Sequence, residues 1–138
     1  MQKYKIVISG AGPWGHALIK CLKNNNHDAI IFSRDISSIN KDTIDSNINY
    51  SEDIDEIVSN SEYFIIASPV SSVQYFAEKF KKNNEGIKVL ISCKGMDPNS
   101  GSFPSEILSN YIHEDNIAVL SGPSFANEVY KGMPTAVT

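Results

Sequence analysis

The hexapeptide Gly10-Ala11-Gly12-Pro13-Trp14-Gly15 constrains this chain more than any other segment. It follows the short apolar run of Lys5-Ile6-Val7-Ile8-Ser9. It precedes His16 to Lys23, where Ala17, Leu18, Cys21 and Leu22 recur at helical spacing. A second apolar run, Ala29-Ile30-Ile31-Phe32, closes a strand–helix–strand unit of about thirty residues. In that setting each glycine has a steric task. Gly10 permits a tight turn, Gly12 lets the backbone approach a pyrophosphate, and Gly15 lets helix and strand pack closely. The helix N-terminus offers N–H groups and the positive end of its dipole to phosphate oxygens. Pro13 has no N–H and withdraws one such contact. The turn predicts a dinucleotide site built on Gly10, Gly12, Pro13, Trp14 and Gly15.

The rest of the chain continues the alternation. Strands are expected at Tyr63 to Ala67, Lys88 to Ser92 and Ile117 to Leu120, with a sixth beginning at Thr135 to Thr138. Helices are expected at Glu52 to Val58, capped by Asp53 or Ser51, and at Val73 to Lys82, Pro104 to Ile112 and Phe125 to Tyr130. The stretch Ile36 to Asn49 is polar and weakly patterned, and no element is assigned to it. Strands alternating with helices predict an α/β fold of the doubly wound, Rossmann type. Its sheet is mostly parallel, with helices on both faces. One domain over residues 1–138 is expected.

Composition removes several alternatives. The net charge is −4 and the isoelectric point about 5.3, so a broad grip on nucleic-acid phosphates is not expected. Anions must be held by local devices. The N-terminal apolar run is too short for a secretory signal, and no segment approaches a membrane span. Cys21 and Cys93 lack metal-ligand spacing and are read as reduced thiols. His16, His27 and His113 are scattered, and no metal is expected. The location expected is the cytoplasm.

Arg34, the only arginine, follows the second strand in Phe32-Ser33-Arg34-Asp35. A guanidinium there can fork onto a 2′-phosphate, which favours NADP. Asp35, one residue later, could instead accept from ribose hydroxyls, so NAD stays open. Three further loops fall at strand ends, where open α/β sheets bind ligands. Ala67-Ser68-Pro69-Val70-Ser71 could admit a flat ring or simply start a helix. Ser92-Cys93-Lys94-Gly95-Met96 places Lys94 over the crevice, or leaves it a surface lysine. Gly122-Pro123-Ser124-Phe125-Ala126 offers a helix start with a hydroxyl at Ser124, for an anion or as an ordinary cap.

Taken together, the glycine turn, Ser92-Cys93-Lys94-Gly95-Met96 and the run Gly122-Pro123-Ser124-Phe125-Ala126-Asn127-Glu128 resemble the bacterial-type NAD(P)-dependent glycerol-3-phosphate dehydrogenases. The likeness runs on through Val137, and the stretch from Gly122 is its most specific part. The resemblance implies an oxidoreductase that interconverts dihydroxyacetone phosphate and glycerol 3-phosphate for phospholipid synthesis, with this chain as the cofactor domain. It implies cofactor contacts at Pro13, Trp14, Arg34, Lys94 and Ala126, and substrate contacts at Lys94, Gly122 and Ser124. Pro13 departs from the family's Ser or Thr, and the loop after Arg34, toward Tyr50, is shorter than usual. The family's proton-transferring lysine and its Arg-Asn pair belong to a helical second domain. No catalytic acid is therefore expected here, and the 138-residue chain alone is expected to be inactive. The resemblance allows a homodimer in the complete protein. Two alternatives stand beside it: the cofactor domain of another hydroxyacid or ketoacid reductase, and a non-catalytic NADP-binding module.

Overall fold

A computed structural model describes residues 4–40, 42 and 45–138. Lys3, within the expected N-terminal segment, and residues 41, 43 and 44 of the unassigned stretch lie outside them. The elements run β1 (Ile6–Ser9), α1 (Pro13–Asn24), β2 (Ala29–Phe32), β3 (Asn49–Ser51), α2 (Ile54–Ser59) and β4 (Tyr63–Ile66). They continue with α3 (Val73–Asn83), β5 (Lys88–Ile91), α4 (Pro104–Ser109), β6 (Ile117–Val119) and α5 (Ala126–Tyr130). The strands form a six-stranded sheet in the order β3-β2-β1-β4-β5-β6, and every neighbouring pair is parallel. The chain winds outward from β1 to β3 and then returns to place β4 on the other side of β1. The crevice of such a sheet opens where the winding reverses, beyond the ends of β1 and β4.

The consecutive apolar residues of β1, β2 and β4 follow from cover on both faces. Val7, Ile30, Phe32, Phe64 and Ile66 point to one face, with Phe76 and Phe80 of α3 and Ile57 of α2 packed on them. Phe64 meets Phe76 and Phe80 at ring-centroid distances of 5.0 and 4.9 Å. Ile6, Ile8, Ala29, Ile31 and Ile65 point to the other face, against Ile19 of α1. Helix α5 packs on α1 rather than on the sheet.

Three elements depart from expectation. The segment Thr135 to Thr138 forms no strand. Thr138 and Ser121 exchange both backbone hydrogen bonds, at 2.7 and 2.9 Å, but one reciprocal pair is not a ladder, and residues 135–138 are exposed. Conversely, Asn49–Ser51 is a strand that carries no apolar signal. It is an edge strand with one neighbour, and apart from the preceding buried Ile48 little of it meets the core. Helix α4 also ends at Ser109, short of Ile112.

Helix α2 starts on Asp53, whose carboxylate accepts from the Glu56 N–H at 3.0 Å. Its Asp55 receives two hydrogen bonds from the Lys79 ammonium of α3, at 3.0 and 2.9 Å. The Asn83 amide adds a third at 2.6 Å. Lys79 and Asn83 hold the Asp55 carboxyl below its ordinary range. A carboxyl depressed in the folded chain adds stability that is present above its unfolded pKa and lost as pH falls through the folded one. Asp35 and Asp97 share this sign through Ser37 and Ser100. Asp55→Asn should therefore lower the melting temperature more at pH 7 than at pH 3. Thermal melts at the two pH values check this.

Candidate dinucleotide site at the β1–β4 crevice

Gly10 leaves β1 with φ 102°, a conformation that glycine adopts without the cost other residues incur. A side chain there would also press on the backbone of Ala67 and Ser68 at 3.0 Å. The turn thus rests directly on the loop leaving β4. Gly12 caps α1 and Pro13 occupies its first turn, as its fixed φ favours. A methyl group added at Gly12 would meet nothing within 4 Å, so this backbone is open to an approaching group. Gly15 is buried against the carbonyl of Gly10. The three glycines therefore have separate steric roles: a tight turn at Gly10, an open backbone at Gly12 and a close helix–strand contact at Gly15.

Two clefts flank the turn. The first, of about 730 Å³, is lined by Gly10, Ser33, Arg34, Ser68, Ser72 and Tyr75, among others. The second, of about 270 Å³, brings Trp14, Lys94, Gly122, Ser124 and Ala126 together with Ser92. Residues from the glycine turn, the β5 exit and the β6 exit thus meet at one place, as the strand-end rule expects. Among the described residues lining this second cleft, Lys94 is the one ionisable side chain. Gly12 and Pro13 line a third cleft of about 490 Å³, with Ala126 and His16.

Asp35 turns its carboxylate onto its own loop. It accepts from the Ser37 N–H at 2.9 Å and the Ser37 hydroxyl at 2.5 Å, capping the 3-10 turn Ile36–Ser38. Arg34 is exposed and lines the larger cleft. Ser124 is not a helix cap: α5 begins at Ala126 after Phe125, without a side-chain cap bond. At 5 residues α5 has little dipole to offer an anion, and Ser124 instead lines the second cleft. Cys21 and Cys93 are free, and burial pushes the Cys93 thiol up.

His16 carries a role that its isolated position in the sequence did not signal. It is 3% exposed. Its Nδ1 lies 3.0 Å from the Gly12 carbonyl and its Nε2 2.8 Å from the Tyr50 hydroxyl. A carbonyl only accepts, so Nδ1 carries the proton and Nε2 accepts from Tyr50. Burial, and secondarily Asp45, push the Tyr50 pKa up. The imidazole thus ties the glycine turn to edge strand β3. His16→Ala should cost about 1–3 kcal/mol by breaking both bonds, and Tyr50→Phe about 1 kcal/mol. Urea unfolding of the two variants measures the difference.

Among the described residues no helix is long and apolar enough to cross a membrane. The family described as NAD-dependent glycerol-3-phosphate dehydrogenase N-terminus matches residues 5–138. A Nitratiruptor protein named glycerol-3-phosphate dehydrogenase [NAD(P)+] is 39% identical over 133 residues, 96% of this chain and 40% of that protein. A Brucella ovis protein of the same name is 30% identical over 148 residues, covering 97% of this chain and 45% of its own length. This chain therefore spans less than half of these relatives. The crystal structure of glycerol-3-phosphate dehydrogenase from Coxiella burnetii superposes with a TM-score of 0.78 at 22% identity. The alignment covers 98% of this chain and 46% of that one, a likeness of fold.

Proposed function

The chain belongs to the family of NAD-dependent glycerol-3-phosphate dehydrogenase N-termini, and from that premise we propose that it is the NADP(H)-holding domain of an enzyme interconverting dihydroxyacetone phosphate and glycerol 3-phosphate. One observation carries the reading: Trp14, Lys94, Gly122, Ser124 and Ala126, drawn from three strand ends, line a single cleft beside the glycine turn. The open backbone at Gly12 and the first turn of α1 fit a pyrophosphate. When bound, the dinucleotide supplies or takes the hydride. Trp14 and Ala126 border the nicotinamide side. The Lys94 ammonium lies between cofactor and substrate, contacts the dinucleotide, holds the anionic substrate and favours negative charge on its carbonyl oxygen. The Gly122 backbone and Ser124 hydroxyl orient that substrate.

On the adenosine side, Arg34 forks onto a 2′-phosphate, so NADP is preferred to NAD. Arg34 lines the larger cleft, which supports this; Asp35 lines it too, with one of its two carboxylate oxygens held by Ser37. No described residue of the smaller cleft other than Lys94 is ionisable. The proton transfer to oxygen is therefore assigned to a residue of a second domain in the complete enzyme, which would also be where a homodimer forms. The setting is cytoplasmic and the product feeds glycerophospholipid synthesis.

The experiment uses Trp14, the only tryptophan in the chain, as a reporter. NADPH should quench its fluorescence saturably. Lys94→Ala should weaken that binding about tenfold, the effect of losing one charge-assisted contact. Unchanged affinity would remove Lys94 from the site. The chain alone should oxidise no measurable NADPH with dihydroxyacetone phosphate; turnover matching complete relatives would contradict the cofactor-domain assignment.

A further inference from the structure

Ser9 ends β1 with no exposed surface. Its Oγ lies 2.9 Å from the Ser68 Oγ, which in turn lies 2.7 Å from the Ser72 Oγ. The Ser72 hydroxyl donates to the Pro69 carbonyl at 2.7 Å. These distances fix the direction of the chain. A carbonyl only accepts, so the Ser72 hydrogen is committed to Pro69. Ser9 is buried with Ser68 as its side-chain partner, and a buried hydroxyl hydrogen left unpaired is costly. Ser9 therefore donates to Ser68, and Ser68 donates to Ser72. Both Ser68 and Ser72 line the larger cleft, and each retains one lone pair and no hydrogen to offer it.

The same polarity recurs across the cleft. Ser33 and Ser38, also on its wall, donate their hydroxyls to the Asp35 carbonyl at 3.2 and 2.8 Å. These four serine oxygens, with their hydrogens spent, are poor partners for phosphate oxygens and good ones for hydroxyl groups. Phosphates have other partners in Arg34 and the glycine turn.

We propose that Ser68 and Ser72 form an acceptor subsite for the ribose 3′-hydroxyl in the adenosine half of the dinucleotide. This rests on the dinucleotide reading above. The subsite selects an intact ribose, as Arg34 selects the phosphate.

The test titrates the 138-residue chain with ADP, 3′-deoxy-ADP and NADPH. The unaltered chain should bind ADP about three- to tenfold more tightly than 3′-deoxy-ADP, the usual effect of one hydrogen bond. Ser68→Ala and Ser72→Ala should each lower that ratio, since each removes one of the two acceptors. Ser72→Ala leaves the buried Ser9 donor paired, so it reads the subsite even where Ser68→Ala fails to fold. A ratio of one in the unaltered chain, or a full ratio retained in folded Ser72→Ala, overturns the proposal. If NADPH binds while the ratio is one, this subsite alone falls; if neither NADPH nor ADP binds, the dinucleotide reading falls and takes the subsite with it.

Discussion

Gly15→Ala is expected to remove at least about 4 kcal/mol of stability, or to prevent folding altogether. The added methyl group would fall inside the van der Waals radius of the Gly10 carbonyl oxygen, a backbone atom that cannot rotate away. Relief requires lifting the first turn of α1 off β1. That movement would pull Ile19 from Ile8 and Ile31, the centre of one of the two cores. Urea unfolding measures the loss, and a change under 1 kcal/mol would show that the close contact is not needed. Gly12→Ala provides the contrast. Its methyl group meets no atom of the protein within 4 Å and its backbone is extended, so folding should survive. The methyl would instead occupy the space where a pyrophosphate approaches, and NADPH binding should weaken.

Arg34→Ala is expected to weaken NADPH binding about 10- to 100-fold while changing NADH binding less than about threefold. Those factors correspond to the roughly 1.5–3 kcal/mol of hydrogen bonds to a charged group. Only the 2′-phosphate separates the two cofactors, so the difference between them isolates that contact from any general effect on the cleft. With a net charge of −4, the chain offers no diffuse positive field to replace it. High salt should narrow the preference, since the guanidinium is exposed. Equal losses for both cofactors would assign Arg34 a packing role instead.

Much of the fold was legible because its strands are short apolar runs between helical patterns. That arrangement leaves few options other than a parallel sheet covered on both sides. Asn49–Ser51 escaped because an edge strand can be built from Asn, Tyr and Ser once its backbone has a neighbour to pair with. The expected strand at Thr135 to Thr138 failed for the converse reason: suitable residues there find only one reciprocal pair, with Ser121. The clefts followed from the rule that ligands sit beyond strand ends. Their convergence did not, since spacing in the chain cannot say that Trp14, Lys94 and Ser124 share a wall. His16 and the serine chain depend on register. Ser9 reaches Ser68 because β1 and β4 pair Ser9 with Ile66, and His16 reaches Tyr50 only through the unsignalled strand β3. A lone histidine or serine bears no periodic mark of such a partner.

The most direct measurement of the central claim is a calorimetric titration of the 138-residue chain with NADPH and NADH. The account predicts one saturable site per chain for NADPH, with NADH bound more weakly at the same site. Absence of saturable binding by either cofactor, in a chain whose cooperative melt shows it to be folded, would contradict it.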